Sequence, residues 1–353
     1  MTRTLKAALV FGLALVSLVC NAYAQLDSFA QAMALFRQRN WKEAANAFAD
    51  VERGAPGKTD ALLYQGKALI NLADMRAAEN ALTAYRSSHP NSDDGAYLLA
   101  FVYFRENKPR ESLEMLTVAA RLKPPAAADL KVAALDYVLL DDYVDAVRYL
   151  EEALRIAPDD IEALYHLGRV FYQQNRFDQA IQAFQAVLAR NPNHLKAQDN
   201  LGLCLEAKNQ MNEAIAAYGK AIDLDRAAST HSEQPYLNLG ALLVQSNHAE
   251  QAVPLLQTAE GIDVKSAKVR YVLGKAYFNL SRLEDAQREV EESIRLDPQD
   301  SAEHYLLGRI YHRLGKTALS VHEFSTTDEL IEAKRNNSSG KGSGMGMGVS
   351  KPE

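Results

Sequence analysis

The sequence predicts an all-α protein built as a linear array of helix pairs, and three observations lead to this fold class. Small residues of the kind that allow two helices to approach closely recur every 34 residues. Six of the eleven prolines fall at one place in that repeat. Between these markers, apolar residues recur at the spacing of one helical face. The small residues that set the period, with steps of 34, 38, 34 and 34, are Gly168, Gly202, Gly240, Gly274 and Gly308.

The composition excludes several other classes of protein. The 353 residues include only 18 glycines and 11 prolines, which disfavours collagen-like, Pro/Gly-rich disordered and many-turned β architectures. The formal net charge of −6 predicts no general attraction to nucleic acid or to anionic membranes. Two cysteines, Cys20 and Cys204, are too few for a disulfide framework or a structural zinc site.

The first 24 residues have the pattern of a secretory signal peptide. Arg3 and Lys6 precede an uncharged apolar stretch, and Ala22-Tyr23-Ala24 is a cleavage sequence before Gln25. The apolar stretch is shorter than the roughly 20 residues that span a bilayer, so we expect cleavage and no transmembrane segment in the mature chain. A retained N-terminal anchor is the alternative. Lipid attachment at Cys20 is disfavoured because no small residue directly precedes it.

The rest of the chain divides into nine repeat units, which we call registers, and a tail. A four-residue insertion, Ser229 to Ser232, follows the sixth register. Residues 335–353 are rich in Gly, Ser and Met and predict a flexible tail, because they bury too little surface to offset their ordering entropy. The registers are 25–58, 59–92, 93–126, 127–160, 161–194, 195–228, 233–266, 267–300 and 301–334.

Four positions carry the same residue type in register after register. Positions 8 and 20 are small, which predicts that two helices of each register pack closely there. Position 15 is often Asn, Asp or Gly, which predicts a left-handed turn between those helices. Position 32 is proline in six registers, which stops the second helix. These prolines are Pro56, Pro90, Pro124, Pro158, Pro192 and Pro298.

This pattern resembles the tetratricopeptide repeat, a 34-residue helix–turn–helix unit. The fifth register matches best, with Leu164, Leu167-Gly168, Phe171, Ala180, Phe184 and Pro192. The resemblance covers residues 25–334 and implies antiparallel helix pairs in a right-handed superhelix. It also implies a concave face, which such proteins use for binding.

No catalytic pattern accompanies the repeats. The sequence has no phosphate-binding glycine loop and no HExxH, GxSxG or CxxC motif. His304 and His312 are about two helical turns apart, too far to share a metal ion. We therefore expect no enzymatic activity, no cofactor and no metal.

The resemblance implies that positions 2, 5, 9, 12 and 13 of each register line the concave face. In the first and third registers these positions predict an apolar, aromatic groove, although packing against neighbouring helices explains them equally well. In the last two registers they are basic and aromatic, and they predict a site for an acidic peptide segment or a terminal carboxylate. The alternative is that nearby acids balance these charges. The aromatic candidates are Phe29, Phe36, Tyr97, Phe101 and Phe104, and the basic-end candidates are Lys268, Tyr271, Lys275, Tyr305, Arg309, His312 and Arg313.

Two asparagines resemble the amides with which some tetratricopeptide superhelices hold a peptide backbone. Asn200 and Asn238 both occupy position 6, directly before Leu-Gly. The clamp of cytosolic chaperone adaptors needs Lys at position 5 and Asn at position 9. Lys131 is followed at position 9 by Leu135, so no register has that pair.

The leading hypothesis is an exported scaffold, periplasmic or secreted, that binds a protein or peptide partner. Its partner is expected to include an acidic segment and not to be nucleic acid. Two alternatives remain: a structural part of a secretion, pilus or polysaccharide-export assembly, and a glycan-binding or enzyme-regulating module. The sequence leaves the partner and the oligomeric state open.

Overall fold

The computed structural model describes residues 28–54, 56–57, 60–228 and 231–342, so the predicted signal peptide lies outside the described residues. All regular secondary structure in these ranges is helical, which confirms the predicted all-α class. The helices are α1 (28–37), α2 (Trp41–Gly54), α3 (Ala61–Asn71), α4 (Met75–Ser88), α5 (Asp93–Arg105), α6 (Pro109–Leu122), α7 (Ala127–Leu139), α8 (Tyr143–Ile156), α9 (Ile161–Gln173), α10 (Phe177–Arg190), α11 (Leu195–Ala207), α12 (Met211–Ala228), α13 (Gln234–Gln245), α14 (Ala249–Ile262), α15 (Ala267–Asn279), α16 (Leu283–Leu296), α17 (Ser301–Arg313) and α18 (Thr317–Gly342).

The described helices belong to two compact units, α1–α9 and α10–α18. Two helices fall within each predicted register, and α18 continues beyond the last register to Gly342. The predicted tail therefore begins inside this helix, and residues 343–353 lie outside the described residues. None of the described helices combines the length and apolar character needed to cross a membrane.

Each tight turn inside a register contains one residue with positive φ at position 15. Asn107, Asn175 and Asn209 take φ values of 59°, 58° and 61°, in the left-handed region that asparagine tolerates well. Arg39 and Ala73 adopt the same conformation in the first two registers, with φ of 61° and 59°. The turn is therefore required by the packing of the two helices and not only by the residue that occupies it.

Proline ends the second helix at a constant place. Each of the six position-32 prolines lies two residues beyond the end of its helix, as Pro90 does after Ser88 and Pro298 after Leu296. Arg226 replaces this proline in the sixth register, and α12 continues through it to Ala228. The carboxylate of Asp225 then accepts hydrogen bonds from Ser232 N at 2.9 Å and the Tyr236 hydroxyl at 3.3 Å, which attaches the inserted segment to α13.

Small residues bring the paired helices close together. A Cβ built on Gly202 would lie 2.5 Å from the Tyr218 ring, and one on Gly274 would lie 2.5 Å from Val290 Cγ2. The position-20 residues are all buried, and where this residue is serine it bonds to the facing helix. Ser112 Oγ donates to Ala100 O at 2.9 Å. These contacts hold the first helix of each such pair close to the second and leave its outer positions free for the candidate sites described next.

Candidate functional site

Five basic side chains project from α15 and α17 and are all exposed. They occupy the positions that the resemblance assigns to the concave face, and we call them the basic face. Lys268 and Lys275 belong to α15, and Arg309, His312 and Arg313 belong to α17.

The basic face forms no ion pair among the described residues. None of its five basic side chains has a carboxylate oxygen of that part of the chain within 4.0 Å. The guanidinium groups of Arg309 and Arg313 instead lie over the Phe278 ring, 4.7 Å and 5.1 Å from its centroid. Arg313 Nη2 also donates to Ser281 Oγ at 3.0 Å. The two guanidinium groups are thus held against an aromatic ring and remain available to an anion.

Two tyrosines complete the basic face. Tyr271 is half-buried, and its pKa is raised by burial and by the nearby carboxylates of Asp300 and Glu303, against the effect of Arg309. Tyr305 is 50% exposed and contacts the Phe324 ring at a centroid distance of 5.7 Å. Its ring offers an apolar contact surface next to the cations.

A cavity of about 390 Å³ opens between α5, α7 and α9, and it brings three of the predicted aromatic residues together. We call it the aromatic cavity. Tyr97 is fixed at its edge, because its hydroxyl donates to Lys123 O at 2.6 Å, and burial raises its pKa to about 12. The side chains that define the cavity are Tyr97, Phe101, Phe104, Val132, Leu135 and His166.

Acidic groups outnumber basic ones at the edge of the aromatic cavity. Lys131 Nζ lies 2.8 Å from Asp160 Oδ2 and 3.2 Å from Glu162 Oε2, and Asp129 also lines the cavity. The pKa of His166 is lowered by burial and by the nearby Arg169, which favours the neutral imidazole. The cavity therefore presents an apolar lining with an acidic edge.

The aromatic residues of the first register have a different environment. Phe29 and Phe36 are half-buried and contact the buried Phe48 ring at 5.7 Å and 6.2 Å. Both also contact Tyr64, at 6.0 Å and 5.6 Å. Their rings are thus engaged in packing α1 against α2 and α3, the alternative that the sequence left open.

The two asparagines at position 6 do not present equivalent amides. Asn238 is buried, and its Nδ2 donates to both carboxylate oxygens of Asp199 at 3.0 Å. Its Oδ1 accepts from Gln234 Nε2 at 2.9 Å. Asn200 is half-buried and donates to Lys196 O of its own helix at 2.7 Å. A pair of adjacent free amides is therefore not formed.

Asp136 is a buried residue that the sequence reasoning missed. It is fully buried on α7, both carboxylate oxygens lack a hydrogen-bond partner, and burial raises its pKa to about 7, against a smaller lowering by Ser112. Position 10 holds an apolar residue in every other register, including Val102 and Val170, so register alignment alone could have identified it.

The described residues contain no cluster of His, Cys, Asp and Glu side chains able to hold a metal ion. Cys204 is fully buried, and burial raises the pKa of its thiol to about 12, which leaves it a poor nucleophile.

These observations define an all-helical protein built from repeated helix pairs. Sequence models of the tetratricopeptide repeat match residues 29–75, 60–92, 138–202, 172–234 and 243–310, about two thirds of the chain. The chain belongs to the tetratricopeptide repeat family.

Relatives and solved structures agree with this assignment. The chain is 26% identical over 56% of its length to a DnaJ homolog subfamily C member 7 homolog of Schizosaccharomyces pombe, of which it covers 44%. It is 26% identical over 70% of its length to the peroxisomal targeting signal receptor of Eremothecium gossypii, of which it covers 45%. The chain thus spans less than half of these relatives. A tetratricopeptide repeat protein from Parabacteroides merdae has the same fold, with 18% identity, a TM-score of 0.57, and coverage of 71% of this chain and 98% of that one.

Proposed function

We propose that this protein is an exported, non-catalytic tetratricopeptide scaffold that binds an acidic segment of a protein partner on the basic face. The observation that carries the proposal is the set of five exposed basic side chains without a carboxylate partner in the described part of their unit. A protein with a formal net charge of −6 has no general reason to concentrate unpaired cations there. An acidic segment would restore the pairing that this surface lacks.

The arrangement of the two arginines suits carboxylate recognition. Their guanidinium groups lie on Phe278, so less side-chain freedom is lost when an anion binds. Each guanidinium can donate two parallel hydrogen bonds to a carboxylate, whereas Lys268 and Lys275 act as point charges. Tyr305 adds apolar contact to an adjacent residue of the segment.

The relatives and the described residues support a binding role without chemistry. One relative is named a receptor for a targeting signal, which is compatible with peptide recognition by this repeat. The buried thiol of Cys204, whose pKa burial raises to about 12, is a poor nucleophile. We also propose that the chain has nine repeat units, with the register bounds given above.

Export is the second part of the proposal and is carried by the signal pattern of residues 1–24. N-terminal sequencing of the protein recovered from its native host tests it. A mature chain that begins at Gln25 in an extracytoplasmic fraction supports export, and an uncleaved chain in the cytosol contradicts it.

The binding proposal is tested by titrating the full chain with a capped octapeptide of glutamate at low ionic strength. The double variant Lys275→Glu/Arg309→Glu should bind at least about tenfold more weakly, with a flatter salt dependence, because two attractive charges become repulsive. The control is Arg76→Glu/Arg110→Glu, which makes the same change in net charge at exposed positions of α4 and α6. Unchanged affinity of the first variant, or an equal loss in the control, would contradict the proposal.

A further inference from the structure

The aromatic cavity lies where the third and fourth registers meet and leaves apolar surface uncovered. A second space of about 310 Å³ adjoins it and shares Tyr97, Leu116 and Asp129. The buried residues that join these registers in one apolar cluster are Ala100, Leu116 and Ala133. The two cavities lie beside this cluster.

The corresponding space beside the position-12 phenylalanine is closed in the eighth register. Phe278 and Phe104 both occupy position 12. Phe278 is 7% exposed and is covered by Arg309 and Arg313, at positions 9 and 13 of the next first helix.

Phe104 is half-buried, and the next first helix supplies leucines at both of the corresponding positions. Leu135, at position 9, lines the aromatic cavity. Leu139, at position 13, is 47% exposed. Two apolar residues thus replace the two cations that cover Phe278, and the space beside Phe104 stays open.

Acids outnumber the one lysine at the edge of the cavity, so an acidic segment of the kind proposed for the basic face is disfavoured there. Lys131 is paired with both Asp160 and Glu162, and Asp129 accepts from Ala126 N at 2.8 Å. His166 is the polar side chain that faces the opening without a hydrogen bond in the described structure. It can give or receive one hydrogen bond at the mouth of an otherwise apolar space.

We propose that the aromatic cavity binds a segment of a protein partner through uncharged large apolar side chains, aromatic or branched aliphatic, with His166 bonding to the backbone of that segment. The volume is at the lower end of the range typical of ligand pockets and accommodates one or two such side chains. Burial of apolar surface on Phe101, Phe104, and Leu135 drives the association. This site is separate from the basic face and does not depend on it.

The test uses the full chain and a capped hexapeptide, Gly-Ser-Trp-Leu-Ser-Gly, with an acetylated N-terminus and an amidated C-terminus. The reference peptide replaces Trp-Leu with Ala-Ala. Methyl resonances of Val132 and Leu135 report binding at the cavity. We expect the Trp-Leu peptide to shift these resonances and to bind at least tenfold more tightly than the Ala-Ala peptide.

Leu135→Arg is the informative variant, since Arg309 shows that this fold accepts arginine at position 9 over a phenylalanine. It should weaken binding of the Trp-Leu peptide at least tenfold by covering Phe104 with a guanidinium group. The matched control is Val144→Arg, which adds the same charge at a 75% exposed valine of α8, and should leave binding unchanged. Circular dichroism and thermal unfolding confirm that both variants remain folded.

Three outcomes would overturn the proposal: equal binding of the two peptides, unchanged binding to folded Leu135→Arg, or saturation of the cavity by free indole with no binding of the peptide. The glutamate octapeptide is a separate probe of the basic face. Loss of its binding in Lys275→Glu/Arg309→Glu, with the Trp-Leu peptide unaffected, would show that the two sites operate independently.

Discussion

The aromatic cavity and the basic face occupy equal positions of the repeat and differ in chemistry. Both have a phenylalanine at position 12, Phe104 in one and Phe278 in the other. The following first helix supplies Leu135 in the first case and Arg309 in the second. One residue at position 9 therefore helps to decide whether the phenylalanine lines an apolar cavity or supports a cation. A repeat fold can vary its binding chemistry at such positions without any change in its backbone.

The two regions also contain a buried acid each, in different surroundings. Burial raises the pKa of Asp136, near the aromatic cavity, to about 7, and Ser112 is the one other group that acts on it. Burial likewise raises the pKa of Glu303 on α17 to about 7, where Asp300 and Asp297 add to the effect. The Asp136 carboxyl is thus isolated, whereas Glu303 belongs to an acidic neighbourhood.

The largest expected effect is the stabilisation by Asp136→Val at neutral pH. In the folded chain this carboxyl has a pKa of about 7 against an ordinary 3.8, so its protonated form is favoured by folding. The contribution of this carboxyl to the unfolding free energy is fully present below about pH 4 and is lost as the pH rises to about 7. Over this range the difference in unfolding free energy between variant and wild type should grow by about 4 kcal/mol.

Urea unfolding at pH 4, 5, 6, 7 and 8 measures this difference. Subtraction of the wild-type curve removes the contributions of Glu303 and of Asp199, whose pKa is raised to about 6 by burial. Asp328→Val, at an exposed acid of α18, serves as the control and should lack this growth with pH. A constant difference from pH 4 to 8 would contradict the assignment of Asp136 as a buried, isolated acid.

Gly274→Ala should be destabilising by about 1–2 kcal/mol, because its Cβ would lie 2.5 Å from Val290 Cγ2. This value already includes the gain of about 1 kcal/mol that alanine brings through its higher helix propensity. Thermal unfolding compares it with Gly219→Ala, a helical glycine with no atom within 4 Å of a built Cβ, which should be stabilising. Alanine itself is compatible with position 8, since the third register has Ala100 there, so the expected loss comes from the contact with Val290. Stabilisation by both substitutions would mean that α15 and α16 are not closely packed.

Salt should separate the two binding sites. From 50 to 500 mM NaCl, affinity for the glutamate octapeptide should fall about tenfold, whereas affinity for the Trp-Leu peptide should change less than about twofold. Isothermal titration calorimetry with the same protein preparation measures both. An equal salt dependence would indicate that the peptides share one surface.

The smallest expected effect compares two tyrosines at position 5. Tyr97→Phe removes the hydrogen bond to Lys123 O and should cost about 1 kcal/mol of unfolding free energy. Tyr305→Phe should cost almost nothing, because Tyr305 is half exposed and has no hydrogen bond in the described structure. Chemical denaturation measures both, and equal costs would show that the Tyr97 hydroxyl contributes no more than an exposed one.

Much of the fold could be predicted because its signals are local. Prolines two residues beyond helix ends and small residues at positions 8 and 20 act within one helix pair. The left-handed turn was predictable at Asn107 or Gly315, but not at Arg39 or Ala73, whose residue types do not favour it. In those two registers, the packing of neighbouring helices imposes the conformation.

The binding surfaces could be predicted only in part. The exposure of Lys275 and Arg309 follows from their register position, and so does the approach of Phe101 and Phe104. The orientation of Asn238 does not, because it depends on Asp199, which is 39 residues earlier in the chain. Phe36 likewise became part of a packed cluster because Tyr64 of the next register reaches it.

The order of residues alone therefore specifies the 34-residue period, the ends of most helices and the positions that face outward, since each depends on interactions within about 34 residues. The packing of successive helix pairs decided which of those positions remain available. Within the part of the chain that the structure describes, it left Arg309 and Arg313 without acidic partners, opened a space beside Phe104 and isolated the carboxyl of Asp136. These outcomes depend on the side chains that neighbouring registers bring to the same place, and a pattern read one register at a time does not include them.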